Sequence, residues 1–318
     1  MIVYSARYHI DIGPHVFPTR KYPLVQARLL ESGLARPSDL VEPAPAGWDE
    51  LALVHTAGYL ARVRTGALTA EELTELELPM TPAVVDGFRT MVGGTVMAAA
   101  IACGVNSSID RQVGCAVNIG GGLHHAFPNH GEGFCLFNDV AVAVRVLQAR
   151  GVQRHAIIDL DVHHGNGTAF IFESDPRVFT FSMHQQHNYP AWKPRGSLDI
   201  GLPDGTDDRA FLRHLERALP AVMAFDPHCV FYLAGADPFE GDQLGGLQLT
   251  KQGLRERDRV VVGAVRRAGV PLVITLAGGY ALNVEDTVAI HVATIEEAGP
   301  WGLEGLPFVR GADRGRSA

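Results

Sequence analysis

Residues 155–167 read His-Ala-Ile-Ile-Asp-Leu-Asp-Val-His-His-Gly-Asn-Gly, and this stretch decides the fold class. Its first half, 155–160, is short, apolar and β-branched, and it stops at a charged cluster followed by glycine. A strand covered on both faces has that signature. Four further runs share it, at 115–119, 178–182, 229–234 and 271–276. Helical patterns lie between them at 139–150, 208–225, 254–268 and 284–298. In 208–225, Phe211, Leu212, Leu215, Leu219, Val222 and Met223 recur at helical spacing, as a core-facing stripe does. Strand–helix alternation of this kind predicts an α/β fold built on a mainly parallel sheet. Before residue 110 the pattern predicts helices at 21–32, 58–65 and 82–102, joined by loops. No internal repeat or long linker interrupts the chain. The expectation is one domain over 1–318, with a frayed tail from about 305 to 318.

In open parallel sheets, ligands bind beyond the carboxyl ends of the strands. If the strand starting at His155 holds as far as residue 163, Asp159, Asp161 and His163 project to one side. Two carboxylates and an imidazole cannot share a closed core uncompensated, because burying unpaired charge costs at least several kcal/mol. A divalent cation resolves that conflict, and Asp and His suit a site with oxygen and nitrogen ligands.

Other strand ends add to it. The run 229–234 leads into Gly235-Ala236-Asp237-Pro238, where Asp237 is a turn aspartate or a third ligand. The run 115–119 leads into Gly120-Gly121-Gly122-Leu123-His124-His125. Three glycines allow positive φ or close backbone approach, and the paired imidazoles suit proton transfer. The run 271–276 leads into Ala277-Gly278-Gly279-Tyr280, which presents a hydroxyl able to donate to an oxyanion. A metal, a base and a donor at strand ends suit metal-assisted hydrolysis of a carbonyl compound.

Composition narrows the alternatives. The chain has 318 residues, 47 % hydrophobic and 19 % charged, which is globular rather than disordered. The net charge of −8, without a basic cluster, argues against nucleic acid as a partner. The N-terminus lacks the features of a secretory signal. The longest apolar stretch, 91–105, contains Gly93, Gly94 and Thr95 and falls short of the ~18 residues a membrane span needs. A cytoplasmic protein is expected. None of Cys103, Cys115, Cys135 and Cys229 forms a C-x-x-C pair, so buried free thiols are expected.

Five strings together resemble the zinc-dependent histone deacetylase family: 120–125, Gly-Phe-Cys at 133–135, 159–167, Ala-Gly-Ala-Asp at 234–237 and Gly-Gly-Tyr at 278–280. Residues 90–95 and 240–247 look most like its class IV branch, and 16–21 fits a family loop. The resemblance implies an arginase/deacetylase-like fold, with a central parallel sheet flanked by helices on both faces, and hydrolysis of an N-acyl amine. It implies one Zn2+ per chain on Asp161, His163 and Asp237. It makes His125 the general base and then acid, His124 an electrostatic partner bonded to Asp159, Asn166 the residue that orients His125, and Tyr280 the group that polarises the acyl carbonyl. Phe134 and Tyr189, with Gly133 and Leu244, would shape a substrate tunnel. A K+ site would involve Asp159, Asp161, His163, Ser182 and Met183.

Departures from the family pattern bear on the substrate. The stretch 78–82, Leu-Pro-Met-Thr-Pro, lacks the rim carboxylate with which many relatives grip a peptide backbone. Leu244 stands where polyamine-selective relatives carry a glutamate. Acyl-lysine, long-chain acyl-lysine and a small acylated amine remain open as substrates. Two other functions are weighed against this one. A two-metal arginase-like ureohydrolase would need further paired ligands, but only Glu240 and Asp242 follow Asp237 closely. A non-catalytic acyl-lysine binder would have no use for His125 and Tyr280.

Overall fold

The computed structural model describes residues 1–105 and 114–299, so the tail expected at 305–318 lies outside the described residues. Eight strands form one sheet: β1 (Ile2–Val3), β2 (Leu40–Val41), β3 (Cys115–Asn118), β4 (His155–Asp159), β5 (Val178–Gln185), β6 (Leu198–Leu202), β7 (Cys229–Leu233) and β8 (Leu272–Thr275). Their spatial order is β2-β1-β3-β8-β7-β4-β5-β6, and every pairing is parallel. The ten α-helices among the described residues are α1 (Lys21–Glu31), α2 (Trp48–Leu51), α3 (Ala57–Thr65), α4 (Ala70–Leu76), α5 (Pro82–Cys103), α6 (Asp139–Ala149), α7 (Asn166–Phe172), α8 (Asp208–Ala224), α9 (Lys251–Ala268) and α10 (Val284–Ala298).

Every residue of β4, β7 and β8 is buried, so both faces of the sheet's centre are covered. Helix α5 packs on β3 and β8 and against α6, while α1, α10, α9 and α8 form a second packed series. Local chemistry sets the helix ends. Asn138 caps α6 by accepting the Ala141 N–H at 2.9 Å, and Thr250 caps α9 through Gly253 at 3.0 Å. The expected stripe on α8 is present, with Phe211, Leu215, Leu219 and Val222 buried and Leu212 and Met223 half-buried.

Three expectations need correction. First, β4 ends at Asp159, so strand alternation does not carry Asp161 and His163 to one side. A curled loop does so instead. The Asp161 N–H donates to Asp159 Oδ1 at 3.2 Å, and the His163 N–H donates to Asp161 Oδ1 at 3.0 Å. Second, α5 is a continuous 22-residue helix, long and apolar enough by composition to cross a membrane. However, 78 % of its apolar window is buried in the protein, which makes it a core helix. Third, of the four free cysteines only Cys135 and Cys229 are buried; Cys103 and Cys115 are half-buried.

Candidate active site

The four adjacent central strands β3, β8, β7 and β4 point their carboxyl ends at one place. Loops leaving them carry the residues singled out from sequence. After β3, Gly121 and Gly122 adopt φ of 81° and 78°, a conformation only glycine takes without strain, and the turn delivers His124 and His125. After β4 come Asp161 and His163, after β7 Asp237, and after β8 Tyr280.

Asp161, His163 and Asp237 are buried, and one potential ligand atom from each lies within 4.8 Å of the others. His163 Nδ1 is 3.0 Å from Asp161 Oδ1 and 3.6 Å from Asp237 Oδ2. Burial and the Asp161 charge push Asp237 up to about 7. Its Oδ2 is buried without a hydrogen-bond partner, a costly condition for a carboxylate oxygen. The backbone crowds this cluster. The Gly278 N–H donates to Asp161 Oδ2 at 2.9 Å, and a β-carbon on Gly278 would overlap the carboxylates of both aspartates.

The adjacent histidines differ sharply. Burial opposes charge on His124, but Asp159 and Asp161 outweigh it and raise its pKa to about 9. His124 Nδ1 donates to Asp159 Oδ2 at 2.7 Å. In His125, burial and then the charges of His124 and His163 lower the pKa well below the usual range. His125 Nδ1 faces Asn166 Oδ1 at 2.7 Å, which leaves Nε2 as the ring's basic atom. Burial, then Asp161 and Asp237, keep the Tyr280 hydroxyl protonated far above neutral pH. A cavity runs in among Phe17, Gly133, Phe134, His125, Asp161 and Tyr280.

The tunnel residues divide. Phe134 and Gly133 line the cavity, and Phe134 stacks on Phe17 at 6.1 Å. Tyr189 is 37 % exposed and outside the cavity lining, its ring edge-on to His125 at 5.0 Å. Leu244 is half-buried and does not line this cavity. Asp159 stands opposite Ser182 in the β4–β5 register, and the Ser182 hydroxyl bonds His184 Nδ1 at 3.0 Å.

Three groups at the site were not read from sequence. Lys21 is fully buried, and its Nζ donates to the Ala277 carbonyl at 2.8 Å; burial lowers its pKa to about 8. Asp242 Oδ2 accepts the Tyr280 N–H at 2.6 Å and so fixes the tyrosine's backbone. Glu132 reaches Asn166 and Tyr189. Lys21 offered a signal in its place within the 16–21 string, and Glu132 in preceding Gly-Phe-Cys. Asp242 offered one in its place within the 240–247 string.

Comparison with known proteins agrees with this geometry. Residues 15–295 match the model of the histone deacetylase domain. The chain is 43 % identical over 296 residues to an uncharacterised protein of Picosynechococcus sp., covering 91 % of this chain and 95 % of that one. It is 32 % identical over 314 residues to histone deacetylase 2 of Arabidopsis thaliana, covering 94 % and 79 %. A crystal structure of an HDAC homologue complexed with SAHA superimposes with a TM-score of 0.79 at 25 % identity, over 93 % of this chain and 83 % of that one. The family match spans β2 to β8 and all four site loops, so the chain belongs to the histone deacetylase family, whose members are deacetylase-type hydrolases.

Proposed function

We propose that this protein is a zinc-dependent amidohydrolase converting an N-acyl amine, either acyl-lysine or a related acylated amine, to free amine and carboxylate. One observation carries the reading: the buried convergence of Asp161, His163 and Asp237 beside His125 and Tyr280. The donor set fits zinc, with one nitrogen and two carboxylates. The unpartnered Asp237 Oδ2 is the kind of atom a cation satisfies. Bound zinc would polarise the acyl carbonyl and acidify the attacking water.

The chain's own groups do the rest. His125 Nε2 takes the water proton, with the ring held through Nδ1 by Asn166. Tyr280 donates its hydroxyl to the oxyanion as negative charge grows there. His125 then passes the proton to the leaving nitrogen, so the amine departs neutral. His124 stays cationic beside Asp159 and stabilises negative charge without exchanging its proton. Phe134 and Tyr189 pack the substrate's methylene stem and exclude water. Asp159 and Ser182, with the carbonyls of Asp161, His163 and Met183, would take K+. Four free thiols fit a reducing compartment such as the cytoplasm.

A two-metal ureohydrolase has less support, because the Asp242 carboxylate is engaged by the Leu244 and Tyr280 N–H groups. The decisive experiment combines metal analysis with turnover of a fluorogenic acyl-lysine and of acylated small amines. Turnover that stops with a chelator and returns with one zinc per chain is expected. Two transition metals per chain, or tight acyl-lysine binding without turnover, would overturn the reading. His125→Ala should abolish nearly all activity and retain zinc; a fully active variant would remove His125 as the base.

A further inference from the structure

Glu132 takes no part in the steps above, yet its carboxylate touches both Asn166, which faces His125, and the exposed Tyr189. Oε1 accepts from Asn166 Nδ2 at 2.8 Å and from the Tyr189 hydroxyl at 2.7 Å. Oε2 lies 3.4 Å from His130 Nε2. The side chain is 19 % exposed. Burial opposes its charge, but bonds from His130, Tyr189 and Asn166 prevail and hold it ionised.

The turn that carries Glu132 needs no help from this carboxylate. The Glu132 N–H bonds the Cys135 carbonyl at 3.2 Å, and the Cys135 N–H bonds back at 2.9 Å. Gly133 and Phe134, both at positive φ, are tied to Glu75 and Leu76 at the end of α4 by 3.0 and 3.1 Å backbone bonds. Backbone contacts therefore already fix the loop.

An asparagine amide has two ends of nearly equal size, so its partners decide which way it points. An ionised carboxylate only accepts. Asn166 must therefore turn Nδ2 to Glu132 and Oδ1 to His125. An amide oxygen also only accepts, so His125 Nδ1 must carry the ring proton and Nε2 must keep its lone pair. We propose that Glu132 is a positioning residue: it sets the direction of the Asn166 amide, through it the tautomer of His125, and with the same oxygen it holds the Tyr189 ring edge-on to His125. This rests on the proposed hydrolysis with His125 as base.

The test uses the zinc-loaded full chain, acyl-lysine turnover and 15N NMR of labelled histidine. Glu132→Ala should lower kcat by about 10–100-fold. The His125 ring should change from one Nδ1-protonated tautomer to a mixture. Asn166→Asp should harm the wild type, where it sets two carboxylates in contact. The same change should restore much of the kcat lost in Glu132→Ala, because an aspartate has no wrong end to show His125. Glu132→Gln, nearly the same size, carries the same comparison if the alanine variant folds poorly. A wild-type kcat with an unchanged His125 tautomer in both Glu132 variants would overturn the inference, as would purely additive effects of the two positions. A His125→Ala control that keeps full turnover would instead defeat the proposed function.

Discussion

His124 and His125 are neighbours in the chain with ring centroids 4.1 Å apart, yet their surroundings push them in opposite directions. Asp159 and Asp161 outweigh burial at His124, whereas burial and then the charges of His124 and His163 lower His125, whose bonded neighbour Asn166 is a neutral amide. Tyr280 is the third side chain to which the proposed reaction gives a role. Burial and two nearby aspartates hold its proton, so it can donate but not act as a base. Tyr280→Phe removes that single donor and should lower kcat by about 10²–10³-fold. Steady-state kinetics alongside zinc analysis checks this; a wild-type rate at full zinc occupancy would exclude the hydroxyl from the reaction.

At the scale of elements, the turn after β8 matters most. Gly278 passes so close to the metal candidates that no side chain fits there. Gly278→Ala should push the carboxylates of Asp161 and Asp237 apart and weaken zinc binding at least tenfold, the order seen when groups supporting metal ligands are disturbed. Competition with a chromophoric chelator measures it. An unchanged affinity would mean that the loop yields freely. Helix α5 shows how little composition says without context: its apolar length would suit a bilayer, but the sheet and α6 cover it.

At the scale of the molecule, the central strand ends gather Asp159, Asp161 and Asp237 in one buried place. Burial, and then the Asp161 charge across the gap, raise Asp237, so that ionising it penalises the folded chain without a bound cation. A cation bound only to the folded chain stabilises it by about 2.7 kcal/mol at one hundred times its dissociation constant. For a chain of this size that is roughly 5 °C in melting temperature. Thermal unfolding with zinc and with a chelator should show that difference, and Asp237→Asn should abolish it. Equal melting temperatures in both conditions would count against a structural coupling of metal and fold.

The local pattern of the chain by itself determined β3, β4, β5, β7 and β8 and the long helices, because apolar runs and 3.6-residue periodicity are properties of neighbouring residues. It also marked Asp161, His163 and Asp237, since such charges at the ends of buried strands demand compensation. The outlying strands escaped it: β1 and β2 are two residues each, too short for any period, and two of the five residues of β6 are exposed. Only the tertiary structure decided that β8 and β7 insert between β3 and β4, which brings four distant loops to one point. Only it gave Glu132 its partners, 34 and 57 residues away along the chain. A glutamate looks the same in sequence whether it faces water or an amide; what it does depends on which groups the fold sets within hydrogen-bond reach.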